Sequence, residues 1–312
     1  MSNILPTIKQ NIQNVLVGQE ETITLLLTGL LAGGHVLIED VPGMGKTVLA
    51  RALAKSVDGK FGRVQFTPDL LPSDVTGLNV YDQRSGEFRF QPGPAFCNIL
   101  LADEINRATP RTQSSLLECM AERQVTVDGE TRPLEPPFFV IATQNPVETL
   151  GTYPLPEAQL DRFLLRISMQ APSREEERAI LERFQDAEPL EDLAPVCTCQ
   201  NIRQLQAQAR KVYVHPALLD YLVELARASR DQRGVELGVS PRGTLALLRA
   251  TQAYAMLAGR TYAVPEDVKA VAVPVLAHRL SVSGMAGSSA AQRQAAGDLL
   301  QRVEVPTEDW GR

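Results

Sequence analysis

The chain has 312 residues, 44% of them hydrophobic and 22% charged; these are globular proportions, and the length is enough for two domains. A formal charge of −6 and a pI near 5.3 leave no general basic footprint, which argues against nucleic acid as a sequence-independent partner. No stretch approaches the roughly 18 uninterrupted apolar residues of a membrane span, and the start MSNILPTIKQ lacks the layout of a secretion signal, so a cytoplasmic protein is expected.

Ile8, Ile12 and Val15, then Ile23, Leu26, Leu27 and Leu30, recur at helical spacing on either side of a Gly-marked break, Val17-Gly18-Gln19-Glu20. Two helices therefore precede the apolar run Val36-Leu37-Ile38, which reads as a buried strand. A turn bearing Pro42, Gly43, Met44 and Gly45 follows, and then Lys46, Thr47, Val48 and an Ala/Leu-rich helix to about Ser56. Strand, glycine-rich turn and helix in this order make a phosphate loop. The glycines let successive N–H groups point inward, where the helix dipole also favours negative charge. Lys46 is placed to reach β- and γ-phosphates and Thr47 to offer its hydroxyl to Mg²⁺. The strict pattern has glycine where Asp40 stands, so the assignment rests on GMGKT, its strand-to-helix setting and a second motif downstream.

Val64-Gln65-Phe66 suggests a short second strand. Pro68, Pro72, Pro92 and Pro94 mark an irregular region, within which residues 78–90 read as a hairpin turning at Asp82-Gln83-Arg84-Ser85-Gly86. This hairpin interrupts the α/β alternation as an insertion. The run at 99–102 ends in Asp103-Glu104, two carboxylates at the carboxyl end of a buried strand. There Asp103 can hold Mg²⁺ through water and Glu104 can polarise the attacking water. A helix at 111–123 leads to Asp128-Gly129 between β-rich flanks, a type I′ hairpin signal. The strand at 138–143 ends near Asn145, whose amide suits orienting that water.

A last strand at 164–168 precedes a boundary near Ala171-Pro172. Beyond it the period is helical: Ser173 and Glu176 have capping-box spacing, and helices are expected at 201–211, 216–229, 241–258, 265–280 and 290–303. The expectation is an α/β domain over 1–171, a parallel sheet with helices on both faces and two hairpin insertions, followed by a smaller all-α domain over 172–312. Cys97, Cys119, Cys197 and Cys199 lack metal-site spacing and read as free thiols.

GMGKT, LLADE, ATQNP, LPEAQLDRF and SPRGTLALLR, in this order, resemble the AAA+ ATPases and specifically the MoxR family, over nearly the whole chain. The two hairpins resemble the helix-2 and pre-sensor insertions of the clade that also holds magnesium chelatase subunits and the MCM helicases. The resemblance implies that Lys46 and Thr47 are Walker A, Asp103 and Glu104 Walker B, Asn145 sensor one, Arg162 the arginine finger and Arg242 sensor two. It also implies that Val17 and Gly18 lie beside the adenine. Arg107, Arg111 and Arg166 are further arginines near plausible subunit edges.

The function expected from this resemblance is Mg²⁺-ATP hydrolysis by a homo-oligomeric ring, a hexamer, that matures or activates protein clients, with a partner bearing a von Willebrand factor A domain. A nucleic-acid motor of the MCM type and a magnesium-chelatase-type subunit are the alternatives. Against the motor, Asp82 and Glu87 balance Arg84 and Arg89 in the first hairpin. A small-molecule kinase would not need Arg162, Arg242 or a helical second domain, and Glu104 speaks against a binding-only switch.

Overall fold

Apolar runs and helical periods resolve, in a computed structural model describing residues 4–39, 43–145, 151–186, 188–284 and 288–307, into an alternating first half and a helical second half. In chain order the elements are α1 (Ile4–Gln13), α2 (Glu20–Ala32), β1 (Val36–Glu39), α3 (Lys46–Ser56), β2 (Phe61–Gln65), α4 (Pro72–Thr76), β3 (Gly77–Asp82), β4 (Glu87–Pro92), β5 (Ile99–Asp103), α5 (Pro110–Glu122), β6 (Gln124–Val127), β7 (Glu130–Pro133), β8 (Phe139–Gln144), α6 (Glu157–Leu160) and β9 (Leu165–Ile167). They continue with α7 (Arg174–Phe184), α8 (Cys199–Ala209), α9 (Pro216–Arg230), β10 (Val235–Leu237), α10 (Pro241–Leu257), α11 (Pro265–Leu276), β11 (Ser281–Val282) and α12 (Ser289–Arg302).

The chain divides into two compact units, each discontinuous in sequence. The first comprises Met1–Ile23, His35–Leu155 and Ser168–Arg203, and the second Thr24–Gly34, Pro156–Ile167 and Gln204–Arg312. Hydrogen bonds explain why the stretch after Ser168 belongs with the first unit and does not follow a single cut at 171/172. Lys55 Nζ donates to the carbonyls of Leu190 (2.7 Å) and Glu191 (3.0 Å), Asn11 Nδ2 to that of Ala194 (3.0 Å), and Arg183 Nη1 to that of Gln13 (2.7 Å).

In the first unit the parallel strands run in the order β2-β5-β8-β1, with Leu101 opposite Ile141 and Val36 opposite that same Ile141. β1 is buried at every residue and β8 at all but its last, as expected of strands covered on both faces. The two hairpins fold as expected. Asp128 and Gly129 both have positive φ (51° and 83°), the type I′ geometry that their sequence signals. The hairpins also touch: Asn79 Nδ2 donates to Asp128 Oδ2 (2.7 Å), and the Arg132 guanidinium lies 4.2 Å over the Phe90 ring.

The second unit packs α9 through α12 around residues such as Leu222, Leu247, Val271 and Leu299. It adds an antiparallel ribbon of β10 and β11, absent from the all-helical expectation because strands of two and three residues are too short to show alternation. Among the described residues no helix is long and apolar enough to cross a membrane. The four cysteines are free, and burial raises their thiol pKa, to about 12 for Cys97 and Cys119.

His35, immediately before β1, is a core residue that periodicity does not reveal. Its Nε2–H donates to the carbonyl of Met120 (3.1 Å) and its Nδ1 accepts from the N–H of Val140 (3.0 Å), so the neutral ring clips β8 to the end of α5. Burial pulls its pKa down from 6.5 to about 4. Below pH 6.5 the unfolded chain takes up a proton that the folded chain refuses, so stability drops as pH falls from 6.5 towards 4. The expected loss between pH 7.5 and 5.0 is about 2 kcal/mol from this group. Urea unfolding at the two pH values should show a drop that is smaller by this amount in His35→Gln; equal pH dependence in both proteins would contradict it.

Candidate functional site

Four parallel strands of the first unit stop at one edge, and each stops on a polar residue: Gln65 on β2, Asp103 on β5, Gln144 on β8 and Glu39 on β1. Gln65 pairs in register with Asp103, and Glu39 with Gln144, whose Nε2 donates to Glu39 Oε1 at 2.5 Å. Facing this edge is the start of α3. Gly45 caps the helix in a left-handed conformation (φ 85°), and Gly43 shares the positive sign (φ 88°); side-chain-bearing residues rarely adopt such angles.

Between them lies a polar cavity of about 260 Å³, bordered by Gly43, Gly45, Lys46, Thr47, Asp103, Glu104 and Asn145 together with Arg63, Thr143 and Gln144. Thr143 organises its floor. Its hydroxyl donates to Asp103 Oδ1 (2.7 Å) and accepts from the backbone N–H of Glu104 (2.8 Å). Arg63 Nη2 pairs with Asp103 Oδ2 at 2.9 Å. Glu104 has a left-handed backbone (φ 56°, ψ 49°), a sparsely populated state for a residue other than glycine. Its Oε2 accepts from Gln65 Nε2 (2.7 Å) and pairs with Arg107 Nε (3.1 Å). Two carboxylates are thus held in fixed orientation by neighbours on separate elements.

Gly43 and Gly45 border a second cavity as well, about 340 Å³ and mostly apolar, formed by Leu16, Val17, Met44, Val48, Ile180 and Phe184 with Gln19 and Glu177. Gln19 is fixed there, its Nε2 donating to the Gln170 carbonyl at 2.7 Å. Gly18 has φ 71°, and a Cβ at this position would come within 2.4 Å of the Glu176 carboxylate. That carboxylate accepts from the N–H of Ser173 (2.7 Å), which closes the capping box of α7 and holds the Glu176 pKa below the usual range.

Of the residues singled out in sequence, Gly43, Met44, Gly45, Lys46, Thr47 and Val48 gather with Val17, Asp103, Glu104 and Asn145 along these two adjoining cavities. Pro42 lies outside the described residues. Arg162 and Arg242 belong to the second unit, where Arg242 Nε stands 3.8 Å from Asp161 Oδ2.

The model of the ATPase family associated with various cellular activities (AAA) matches residues 35–165, and that of the AAA lid domain matches 227–303. YeaC of Bacillus subtilis is 49% identical over 300 residues, which span 96% of this chain and 94% of that protein. Chaperone MoxR1 of Mycobacterium tuberculosis is 45% identical over 278 residues, 86% of this chain and 73% of that one. The chain belongs to the MoxR family of AAA+ ATPases. A crystal structure of a candidate ATPase from Cytophaga hutchinsonii superposes with a TM-score of 0.89 at 38% identity, covering 98% of this chain and 96% of that one. The parallel α/β core and helical lid expected from the sequence are therefore those of a MoxR-family chain, and the AAA+ family implies nucleotide binding.

Sequence reading of this MoxR-family chain passed over Arg63, Gln65, Thr143 and Gln144. The available signal was a polar residue closing each apolar run, which becomes meaningful only once the strands are known to be parallel and level. Thr143→Val keeps the side-chain shape but leaves the Glu104 N–H and Asp103 Oδ1 without this partner. It is expected to cost about 1–3 kcal/mol, read as a lowered urea midpoint; an unchanged midpoint would show that the bridge carries no weight.

Proposed function

We propose that the protein is a Mg²⁺-dependent ATP hydrolase that assembles as a homo-oligomeric ring and remodels protein clients in the manner of a chaperone. The observation that carries this reading is the convergence of Lys46 and Thr47 with Asp103 and Glu104 on one polar cavity, whose loop glycines also border an apolar one. A nucleoside triphosphate has the same two-part character. Its base suits the cavity of Val17, Met44 and Val48, and its phosphates suit Lys46 and the N–H groups at the start of α3.

The hydroxyl of Thr47 and the carboxylate of Asp103 are hard oxygen donors of the kind Mg²⁺ takes. Bound there, the ion would neutralise charge on the β- and γ-phosphates. Glu104 draws the proton from the attacking water, and Asn145 orients that water. Because Gln65 and Arg107 both meet Glu104 on Oε2, its approach to water is coupled to their positions. Catalysis here is positioning and charge stabilisation. Arg162 is supplied to the site of a neighbouring subunit, and Arg242 senses the nucleotide.

A protein client is favoured by the first hairpin. Tyr81 and Phe88 at its tip are 53% and 72% exposed, whereas its charges balance: Arg89 pairs with Asp82 at 3.4 Å, and Glu87 offsets Arg84 in sign. Such a tip offers aromatic surface to a polypeptide and little to a phosphate backbone. The name of the mycobacterial relative, a chaperone, supports the same class of client. A hexameric ring and a partner with a von Willebrand factor A domain complete the proposal, on the family resemblance.

Two variants test the chemistry. Lys46→Ala should lose binding of a fluorescent ATP analogue, and retained affinity would refute the phosphate-loop role. Glu104→Gln should bind the analogue normally while turnover falls about 10²–10⁴-fold, the usual contribution of a positioned base. Near wild-type turnover would move the base elsewhere.

A further inference from the structure

Arg279 is a buried cation that neither cavity explains. It sits in a 3₁₀ turn (Ala277–Arg279) after α11, with its side chain 3% exposed. Taking a guanidinium out of water costs several kcal/mol unless all its donors are satisfied. Here they are. Nε donates to Asp161 Oδ1 (2.7 Å), Nη2 to the carbonyls of Phe163 (2.7 Å) and Asp161 (3.3 Å), and Nη1 to the carbonyls of Val275 and Leu164 (3.3 Å for the latter). Burial pulls its pKa down to about 10, with Asp161 opposing, so it is charged at neutral pH.

Apart from that of Val275, the carbonyls it gathers cluster around a single position. Asp161 and Phe163 flank Arg162, and Leu164 follows, so one rigid fork holds the backbone on both sides of Arg162 as well as the side chain before it. The neighbouring helix is shaped to admit it. A Cβ on Gly243, in the first turn of α10, would lie 2.8 Å from Arg279 Cδ and 3.3 Å from its Nε. A buried guanidinium whose own donors are all satisfied in this way fixes geometry more than it adds stability.

We propose that Arg279, through Asp161 and the carbonyls flanking Arg162, is a positioning residue that sets the direction in which Arg162 leaves the chain. The proposal rests on the reading of Arg162 as the finger that serves a neighbouring subunit. Arg279 touches no nucleotide; it acts by denying the 161–164 segment other conformations. Lysine in its place keeps the charge but is a single point donor that cannot span Asp161 and three carbonyls.

The test is a double-mutant cycle on the full chain at concentrations where it assembles, with steady-state ATP turnover, ATP-analogue affinity and urea midpoint read for each protein. Arg162→Ala should lower kcat about 10³–10⁵-fold, as loss of a finger does. Arg279→Lys should lower kcat about 10²-fold, the scale of a misplacement near 1 Å, with ATP affinity unchanged. In the Arg162→Ala background Arg279→Lys should cost no further activity, since its effect passes through Arg162. Asp161→Asn, which keeps shape and removes the charge pair, supplies the same comparison should Arg279→Lys fold poorly. An impaired Arg162→Ala beside a fully active Arg279→Lys and Asp161→Asn would overturn this proposal and leave the finger intact. An equal further loss in the Arg162→Ala background would also overturn it, because Arg279 would then act elsewhere. A fully active Arg162→Ala would overturn the finger reading and this proposal with it.

Discussion

The polar cavity depends on one hydroxyl. Thr143 Oγ1 gives its proton to Asp103 and accepts from the Glu104 N–H, so a single side chain on β8 fixes the Asp103 carboxylate and the Glu104 backbone at the end of β5. This is possible only because β5 and β8 run parallel and in register, Ala102 opposite Ala142, which brings the following residues level. A shift of the register by one residue would turn Thr143 to the other face of the sheet and leave Asp103 and Glu104 without it. The left-handed backbone at Glu104, which costs of the order of 1–3 kcal/mol where unsupported, is held by the same contact together with Gln65 and Arg107.

A second constraint is the position of the glycine turn before α3 between two cavities of opposite character. Gly43 and Gly45 have no side chain to fill either space, and Gly45 caps α3, whose first residues, Lys46 and Thr47, border the polar side. On the apolar side, Gly18 and the Glu176 capping box bring α7 against the loop between α1 and α2. In the second unit the comparable device is ionic. Arg279 sends donors from all three of its nitrogens to a short segment around Arg162, where the first unit spends a threonine hydroxyl on the Asp103 carboxylate and the Glu104 N–H.

Much of this was legible in the amino-acid order, and what was not has a physical reason. GMGKT and LLADE stand out in the sequence because glycine conformations before a helix start and carboxylates at a strand end are local requirements. The Asp128-Gly129 turn and the Ser173/Glu176 cap are local too, and both fold as their residue types demand. Gln65 and Thr143 carry no such mark: a polar residue after an apolar run is ordinary until strands from distant parts of the chain are laid side by side. His35 and Arg279 are polar residues in the core, and only the carbonyls and N–H groups they meet reveal why they are tolerated there. The unit boundary escaped the sequence for a related reason, since Lys55 and Asn11 bind carbonyls more than a hundred residues away.

The proposed chemistry draws a complete site from two subunits: Lys46, Asp103 and Glu104 from one, Arg162 from the next. ATP turnover in mixtures of Arg162→Ala and Glu104→Gln tests this most directly. A mixed ring places the intact finger of a Glu104→Gln subunit beside the intact cavity of an Arg162→Ala subunit. Turnover should then rise above that of either variant alone at the same total concentration, once mass measurement shows that mixed rings have formed. Mixed rings that hydrolyse ATP no faster than the separate variants would contradict the shared site.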